Sequence, residues 1–382
     1  METVIAPINK DLLRAELTKD KFLRYTNKAN NEIYIVTHHN SPNVMLEIGR
    51  LREIAFRYYG GGTGKSVDID EYDKMDNPYK QLIVWNPEAG EIIGGYRFIC
   101  GPDICFDENG EPILATSHLF HFSERFIKEY LPYTFELGRS FVTLEYQSTL
   151  AGSRGIFALD NLWDGLGALS VADPSMKYFF GKVTMYDTYN TQARDMILYF
   201  LNKYFPDPEK LVWPKQALTI ETEKSKLRRL FDGESFKSDY RILNTSVRKL
   251  DLNIPPLVNA YMSLSPQMKV FGTAVNDTFG NVEETGILIN VDEILEEKKK
   301  RHIESYLKDK PSKRFLKRLR QMINWSWTKY EDRPKPKKRK NEGFFTISRR
   351  INRDKRNGRL YFIGKDYSPR RGGKSRLFTT FE

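Results

Sequence analysis

A break in charge near residue 298 limits what this chain can fold into. From Lys298 onward the 382-residue sequence carries 29 Lys and Arg against 8 Asp and Glu, whereas the residues before it carry 32 against 42. An acidic body of net −10 therefore precedes a basic tail of net +21, and the run 333–340 (RPKPKKRK) has no apolar area to bury. We expect one compact domain over 1–308, a basic amphipathic helix over 309–330 and a basic flexible tail over 331–382. The 40% apolar content suffices for a real core in the body. The sign of the tail points to a polyanionic partner: an anionic membrane surface, nucleic acid or an acidic protein.

Within the body, helical and extended patterns alternate. Segments 31–37 (NEIYIVT), 80–85 (KQLIVW), 91–100 (EIIGGYRFIC), 139–146, 178–185, 271–274 and 286–291 are rich in β-branched and aromatic residues, as strands are. The turn 86–90 (NPEAG) makes a hairpin of the second and third. Helices are expected at 43–58, where Val44, Ile48, Leu51, Ile54 and Ala55 share a face, and at 156–171 and 192–205. The fold class is α/β, a mixed sheet layered by helices. Segment 206–239, charged and holding Pro206, Pro208 and Pro214, reads as an insertion on the outside of the same domain.

Several function classes drop out early. No apolar stretch reaches the roughly 18 to 20 residues of a membrane-spanning helix. Met1-Glu2-Thr3-Val4 lacks the order of a signal peptide, so a cytoplasmic protein is expected. Cys100 and Cys105 have no companion cluster and are read as buried thiols, with no metal site. The loop 60–66 (GGGTGKS) ends like a phosphate-binding loop, but Tyr59 stands where the first glycine belongs and a helix precedes it. None of the histidines, at 38, 39, 118, 121 and 302, has an Asp five positions on, and no G-x-S-x-G elbow occurs.

One ordered set of polar residues remains. Arg52 and Phe56 form R-x-x-x-F on the first long helix; Asp70 and Asp73 form D-x-x-D in a loop (DIDEYD); Gly94 and Arg97 close the hairpin (GGYRF); Glu136 and Arg139 form E-x-x-R (ELGRSFV). Farther on come a proline pair, Pro255-Pro256, and the turn Asp277-Thr278-Phe279-Gly280. In this order the blocks resemble the N-acyltransferases that begin ornithine- and glycine-lipid synthesis. These form a hemolysin-like branch of the Gcn5-related acetyltransferase (GNAT) superfamily, related to the acyl-homoserine-lactone synthases. The wording of ELGRSFV, ALDNLWDGLGAL and LVNAYMSLSP is most similar to the glycine-lipid enzymes. Two departures stand out: 260–265 (AYMSLS) lacks the arginine usual in the family, and 147–155 (QSTLAGSRG) only approximates the superfamily's phosphate loop.

The resemblance implies a GNAT-like sheet that transfers a (3-hydroxy)fatty acyl group from an acyl-carrier-protein thioester to an amino acid's α-amine. No cofactor is implied beyond that donor, with acyl-coenzyme A the alternative carrier, and glycine or ornithine is the acceptor. Such aminolysis needs a deprotonated amine, a stabilised oxyanion and an aligned donor. Glu136 is expected to be the base, Asp70 and Asp73 to orient the amine, and Arg97 or Arg139 to hold these carboxylates or grip the substrate carboxylate. Backbone N–H groups where the strand splays near Phe141 would polarise the carbonyl. Gly152 and Gly155 would meet the donor phosphate at a helix start. Arg52 and Phe56 complete the donor side, Phe56 with Tyr58, Tyr96, Phe98 and Phe141 as an acyl-chain lining.

Two rivals make different demands. An autoinducer-type lactone synthase would use the same residues with S-adenosylmethionine as acceptor. A nucleic-acid binder acting through the tail leaves the acidic body unexplained, because that body repels phosphates. As for the tail, 313–330 drawn as a helix sets Phe315, Leu319, Met322, Ile323 and Trp327 on one side. That face fits either a membrane interface, placing the enzyme peripherally on an anionic surface, or the body of the protein.

Overall fold

The structure, a computed structural model, describes residues 1–147, 157–233, 235–308, 313–323, 351–353 and 360–362. Eight strands form one sheet: Phe22–Tyr25 (β1), Glu32–Val36 (β2), Lys80–Asn86 (β3), Glu91–Cys100 (β4), Thr134–Val142 (β6), Tyr178–Met185 (β7), Lys269–Asn276 (β9) and Val282–Asn290 (β10). Their order is β1-β2-β3-β4-β6-β7-β10-β9. A separate small sheet pairs Phe120–Phe122 (β5) with Val212–Pro214 (β8). Every neighbouring pair in the large sheet is antiparallel except β6 and β7, which are joined by a helical crossover as parallel strands require.

The parallel pair is short. Thr134 to Leu137 register against Tyr178 to Gly181, after which the strands part. Gly181 lets them approach that closely, since a β-carbon there would lie 2.7 Å from the Leu137 carbonyl oxygen. On the other side of β6 the register slips between Gly95 and Arg97 of β4, which face Phe141 and Gly138. The bulge turns Arg139 into the left-handed region, φ +47°. Gly94 tolerates it because its missing β-carbon would sit 2.5 Å from the Phe141 carbonyl oxygen.

Helices Lys10–Glu16 (α1), Pro42–Tyr58 (α2), Glu71–Lys74 (α3), Ala158–Ala172 (α4) and Thr191–Tyr204 (α5) cover the sheet. On one face α4 and α5 bury Leu162, Leu166, Ile197 and Leu201 against Leu82, Tyr96, Phe98, Phe135 and Leu137. Gly165 brings α4 close, since a β-carbon there would strike Leu82 at 2.6 Å. On the other face α2 lays Val44, Ile48 and Leu51 on Ile83, Trp85 and Phe141. A second apolar group on that face gathers Tyr79, Ile99, Phe120, Phe126, Phe180 and Phe271. Each large side chain so buried contributes about 1.5 to 3 kcal/mol.

Several expectations need correction. Segment 206–239, expected as an outer insertion, sends Leu211, Val212, Leu227 and Phe231 into the interior. Cys100 is buried but Cys105 is exposed. The first compact unit runs to Asp332, past the expected boundary at 308, and the second spans 333–382. Helix Lys313–Ile323 belongs to the first unit. Its Leu319 and Ile323 are fully buried, Arg320 donates from Nε to the Ala172 carbonyl at 2.9 Å, and the Cys100 thiol donates to the Ile323 carbonyl at 3.0 Å. The periodicity that suggested a membrane face is spent on the body at these two residues; Trp327 lies outside the described residues. In the second unit Ile351–Arg353 pairs with Leu360–Phe362 as a short antiparallel ladder, where no regular structure was expected. Among the described residues no helix is long and apolar enough to cross a membrane.

Candidate active site

Between the two apolar groups on the α2 face lies a buried polar cluster. Its first part is the D-x-x-D motif, which folds as a capping box: Asp70 accepts from the Asp73 amide at 3.2 Å, and Asp73 accepts from the Asp70 amide at 3.3 Å. Sharing the start of α3, the two carboxylates turn toward the sheet. Arg97 on β4 donates from Nη1 to both Asp70 oxygens at 2.8 and 2.7 Å and lies 3.5 Å from Asp73. Arg52 on α2, fully buried, stands 3.6 Å from Asp73, and Gln81 bridges the two, accepting from Arg52 and donating to Asp73 at 2.8 Å. The Arg97 guanidinium rests over the Tyr72 and Tyr79 rings at 5.8 and 5.1 Å.

Arg139, aimed by its bulge, pairs with Asp68 at 2.9 Å through Nε and lies 3.8 Å from Asp70. Its guanidinium covers the Phe279 ring at 4.1 Å, and Phe279 meets Phe56 edge-on at 5.2 Å. This gives a physical reason for the D-x-F-G turn. Gly280, at φ +81°, lets the turn press on the 60–61 backbone, because a β-carbon would lie 2.7 Å from the Gly60 carbonyl oxygen. The phosphate-loop lookalike is filled by its own protein: the Glu53 carboxylate accepts from the Thr63 amide and hydroxyl at 3.0 and 2.7 Å and from the Gly64 amide at 2.7 Å.

Glu136 stands apart. In register with Ile99 and Phe180, it shares their face of the sheet at the last turns of the parallel pair, with no solvent exposure. Among the described residues neither of its oxygens has a partner in good hydrogen-bond geometry, with the Tyr79 and Thr116 hydroxyls the donors acting on it. Burial pushes its pKa up to about 7, opposed only in part by the Tyr79 hydroxyl and Arg97. Burial also opposes the charged form of Asp70, yet Arg97 and Arg139 pull that carboxyl down to about 2. For Asp73 burial wins and the pKa is raised, despite Arg97 and Arg52.

Beyond the splay lies a pair that no motif announced. Lys182 on β7 is ion-paired to Glu284 on β10, which also accepts from Asn276 at 2.8 Å. Burial lowers the Lys182 pKa in spite of Glu284, and Lys182 holds Glu284 low against burial. A lysine inside the apolar strand YFFGKVTM was the available signal. Asp68 and Gln81 were likewise missed.

Six of the expected residues thus converge: Arg52, Asp70, Asp73, Arg97, Glu136 and Arg139. Phe56 reaches the cluster through Phe279. Phe141 is packed in the apolar layer under α2, and Tyr96 and Phe98 belong to the core on the opposite face, so these three do not line the polar site. Tyr58 is exposed, and Gly152 and Gly155 lie outside the described residues. Among the described residues no group of three His, Cys, Asp or Glu side chains is placed to hold a metal.

Comparison with known proteins agrees with the motif order. The acetyltransferase (GNAT) domain family model matches residues 51–153, the stretch that carries the whole polar set. Two proteins named glycine N(alpha)-acyltransferase, from Phocaeicola vulgatus and Bacteroides thetaiotaomicron, are each 69% identical over 311 residues. The alignments cover 81% of this chain and 95% and 92% of those proteins. Two solved acyl-homoserine-lactone synthases overlie part of the fold. LasI does so at 16% identity and TM-score 0.27, over 40% of this chain and 71% of its own. The coenzyme-A-dependent BjaI does so at 14% and 0.25, over 44% and 72%. At these scores the structural likeness adds nothing to the assignment. The relatives' identity over four-fifths of its length shows that the chain belongs to the N-acyltransferase family represented by these glycine N(alpha)-acyltransferases, within the GNAT superfamily.

Proposed function

We propose that this acyltransferase moves a (3-hydroxy)fatty acyl group from an acyl-carrier-protein thioester to the α-amine of glycine, yielding a mono-acylated amino-acid lipid. The observation that carries the reading is Glu136, a buried carboxylate without an ion-pair partner among the described residues, beside a cluster whose other carboxylates are all paired. With a pKa of about 7 it is a base matched to neutral pH, and an ammonium docking beside it supplies the missing countercharge. Charge also separates the two candidate acceptors. Asp68 answers Arg139, Asp70 answers Arg97, Asp73 answers Arg52 and Glu284 answers Lys182, which leaves one carboxylate for one ammonium. Glycine brings one such group and ornithine two.

Arg139 is the better holder of the acceptor's carboxylate. Arg97 gives Nη1 to Asp70 and its side chain is only 3% exposed, whereas Arg139 bonds Asp68 through Nε and presents its outer edge at 13% side-chain exposure. The thioester enters where β6 and β7 part, and a β6 amide past Leu137 polarises its carbonyl. Glu136 takes the ammonium proton, the amine attacks, and the tetrahedral intermediate expels the thiol. The basic tail suits docking of an acidic carrier protein and peripheral contact with the anionic membrane that receives the product.

The test is expression in a host lacking amino-acid lipids, followed by mass spectrometry. New N-acylglycine that vanishes with Glu136→Gln supports the proposal; no new lipid, an acylornithine, or a lactone that depends on S-adenosylmethionine overturns it. Purified protein given acyl-carrier-protein or coenzyme A thioesters in parallel identifies the donor.

A further inference from the structure

Acylating an amine that arrives as an ammonium releases acid. The C–S bond of the thioester breaks and a C–N bond forms. The nitrogen gives up two protons, the departing sulfur takes one, and the other must reach solvent in every turnover. Glu136, with no exposed surface, has no water to hand it to.

We propose that the turn 114–119 is the proton exit, in which the Thr116 hydroxyl receives the proton from Glu136 and His118 delivers it to solvent. This deepens the acyltransferase reading and rests on it. The turn is fastened over the site: the Ala115 amide donates to the Tyr79 hydroxyl at 2.9 Å, and the Leu119 and Phe120 amides donate to the Thr116 carbonyl at 3.0 and 3.1 Å. Among the described residues the Thr116 hydroxyl, 1% exposed as a residue, and the two Glu136 oxygens on which it acts have no other hydrogen-bond partner in good geometry. Orphaned polar atoms gathered in one buried place mark a spot for an exchangeable proton or a bridging water. A hydroxyl accepts and donates at once, so it passes a proton on without changing charge.

Two residues along, His118 is exposed to solvent. It faces Lys182 on β7, Glu284 on β10, Asn276 on β9 and Arg139 on β6, while Glu136 faces Arg97 on β4, Lys182 and Tyr79. Desolvation on its inner side, then the Lys182 ammonium, keep the His118 pKa below the ordinary value, so the imidazole is neutral and ready to accept at pH 7. The catalytic histidine patterns sought in the sequence had no use for this residue.

The experiment uses the full chain with glycine and an acyl thioester at low buffer concentration. His118→Gln and Thr116→Val each lower kcat roughly tenfold and leave KM for glycine unchanged. Added imidazole restores His118→Gln and not Thr116→Val, whereas Thr116→Ser keeps the wild-type rate. A structural role for His118 would not respond to imidazole. Wild-type kcat in either variant, or a His118→Gln defect untouched by imidazole, overturns the relay. The wild type is assayed alongside: if it makes no N-acylglycine, the acyltransferase reading itself fails and the relay with it, while a normal wild type with unimpaired variants defeats the relay alone.

Discussion

Adjacent residues of β10 show two ways of burying charge. Glu283 faces α5, where it accepts from Arg194 at 2.7 Å, and Arg194 also holds Asp195 at 2.8 Å. Asp195 further accepts the Glu221 and Thr222 amides at 3.0 and 2.6 Å. Glu284 faces the other side, toward Lys182 and the candidate active site. On the α5 side Glu283 and Asp195 share a cationic donor; on the site side Glu136 has no ion-pair partner among the described residues. An isolated buried carboxylate opposes folding, and its presence at the sheet's opening is what supports the proposal that Glu136 is kept for chemistry.

The contrast is broken most severely by Glu136→Gln, which we expect to lower kcat about a thousandfold or more. The same change stabilises the fold. The folded-state pKa, about 7, lies above the ordinary 4.5, so the native state holds the proton more tightly and stability falls as pH rises between these values. Over that window the loss is about 3 kcal/mol, and the glutamine variant escapes it. Melts at pH 5 and pH 8 check this: the variant's advantage appears at pH 8. Arg194→Met should do the reverse, costing about 3 kcal/mol of stability by stranding Asp195 and Glu283 while leaving turnover per folded molecule intact. Urea titration paired with an active-site count measures both. Arg139→Ala, which removes a guanidinium at 13% side-chain exposure, should raise KM for glycine about thirtyfold, roughly 2 kcal/mol, and lower the melting temperature as well by stranding the buried Asp68. The mildest test is pH: kcat/KM of the wild type should climb tenfold per unit below about 7 and flatten above it, as Glu136 loses its proton.

Legibility in the sequence followed the range of the interactions. Glu91–Cys100 and Tyr178–Met185 have the bounds that their β-branched and aromatic runs suggest, because burial on both faces writes a continuous pattern. The six polar positions were readable through their local spacings, although the D-x-x-D capping role, visible in the spacing itself, went unread. Lys182 and Glu284 are 102 residues apart and meet only through sheet register, which no local spacing encodes. β6 begins at Thr134, five residues before expectation, since Pro132 and the turn ahead of it masked the strand's start. Periodicity alone also fails to say what covers an apolar helix face, and for Lys313–Ile323 it is the end of α4 and the Cys100 strand.

The four-residue limit of the β6–β7 pairing has a consequence for exchange of hydrogen with solvent. Past Leu137 the β7 side of β6 has no ladder partner among the described residues, so its main-chain amides there are expected to exchange with deuterium more readily than those on the β4 side. Under the proposed reaction, an extended, amide-bearing donor arm in this gap would act as a temporary ninth strand and close it. Deuterium uptake over 138–142 should therefore slow when a non-hydrolysable acyl donor binds and stay unchanged with glycine alone, giving a measure of donor engagement independent of any turnover.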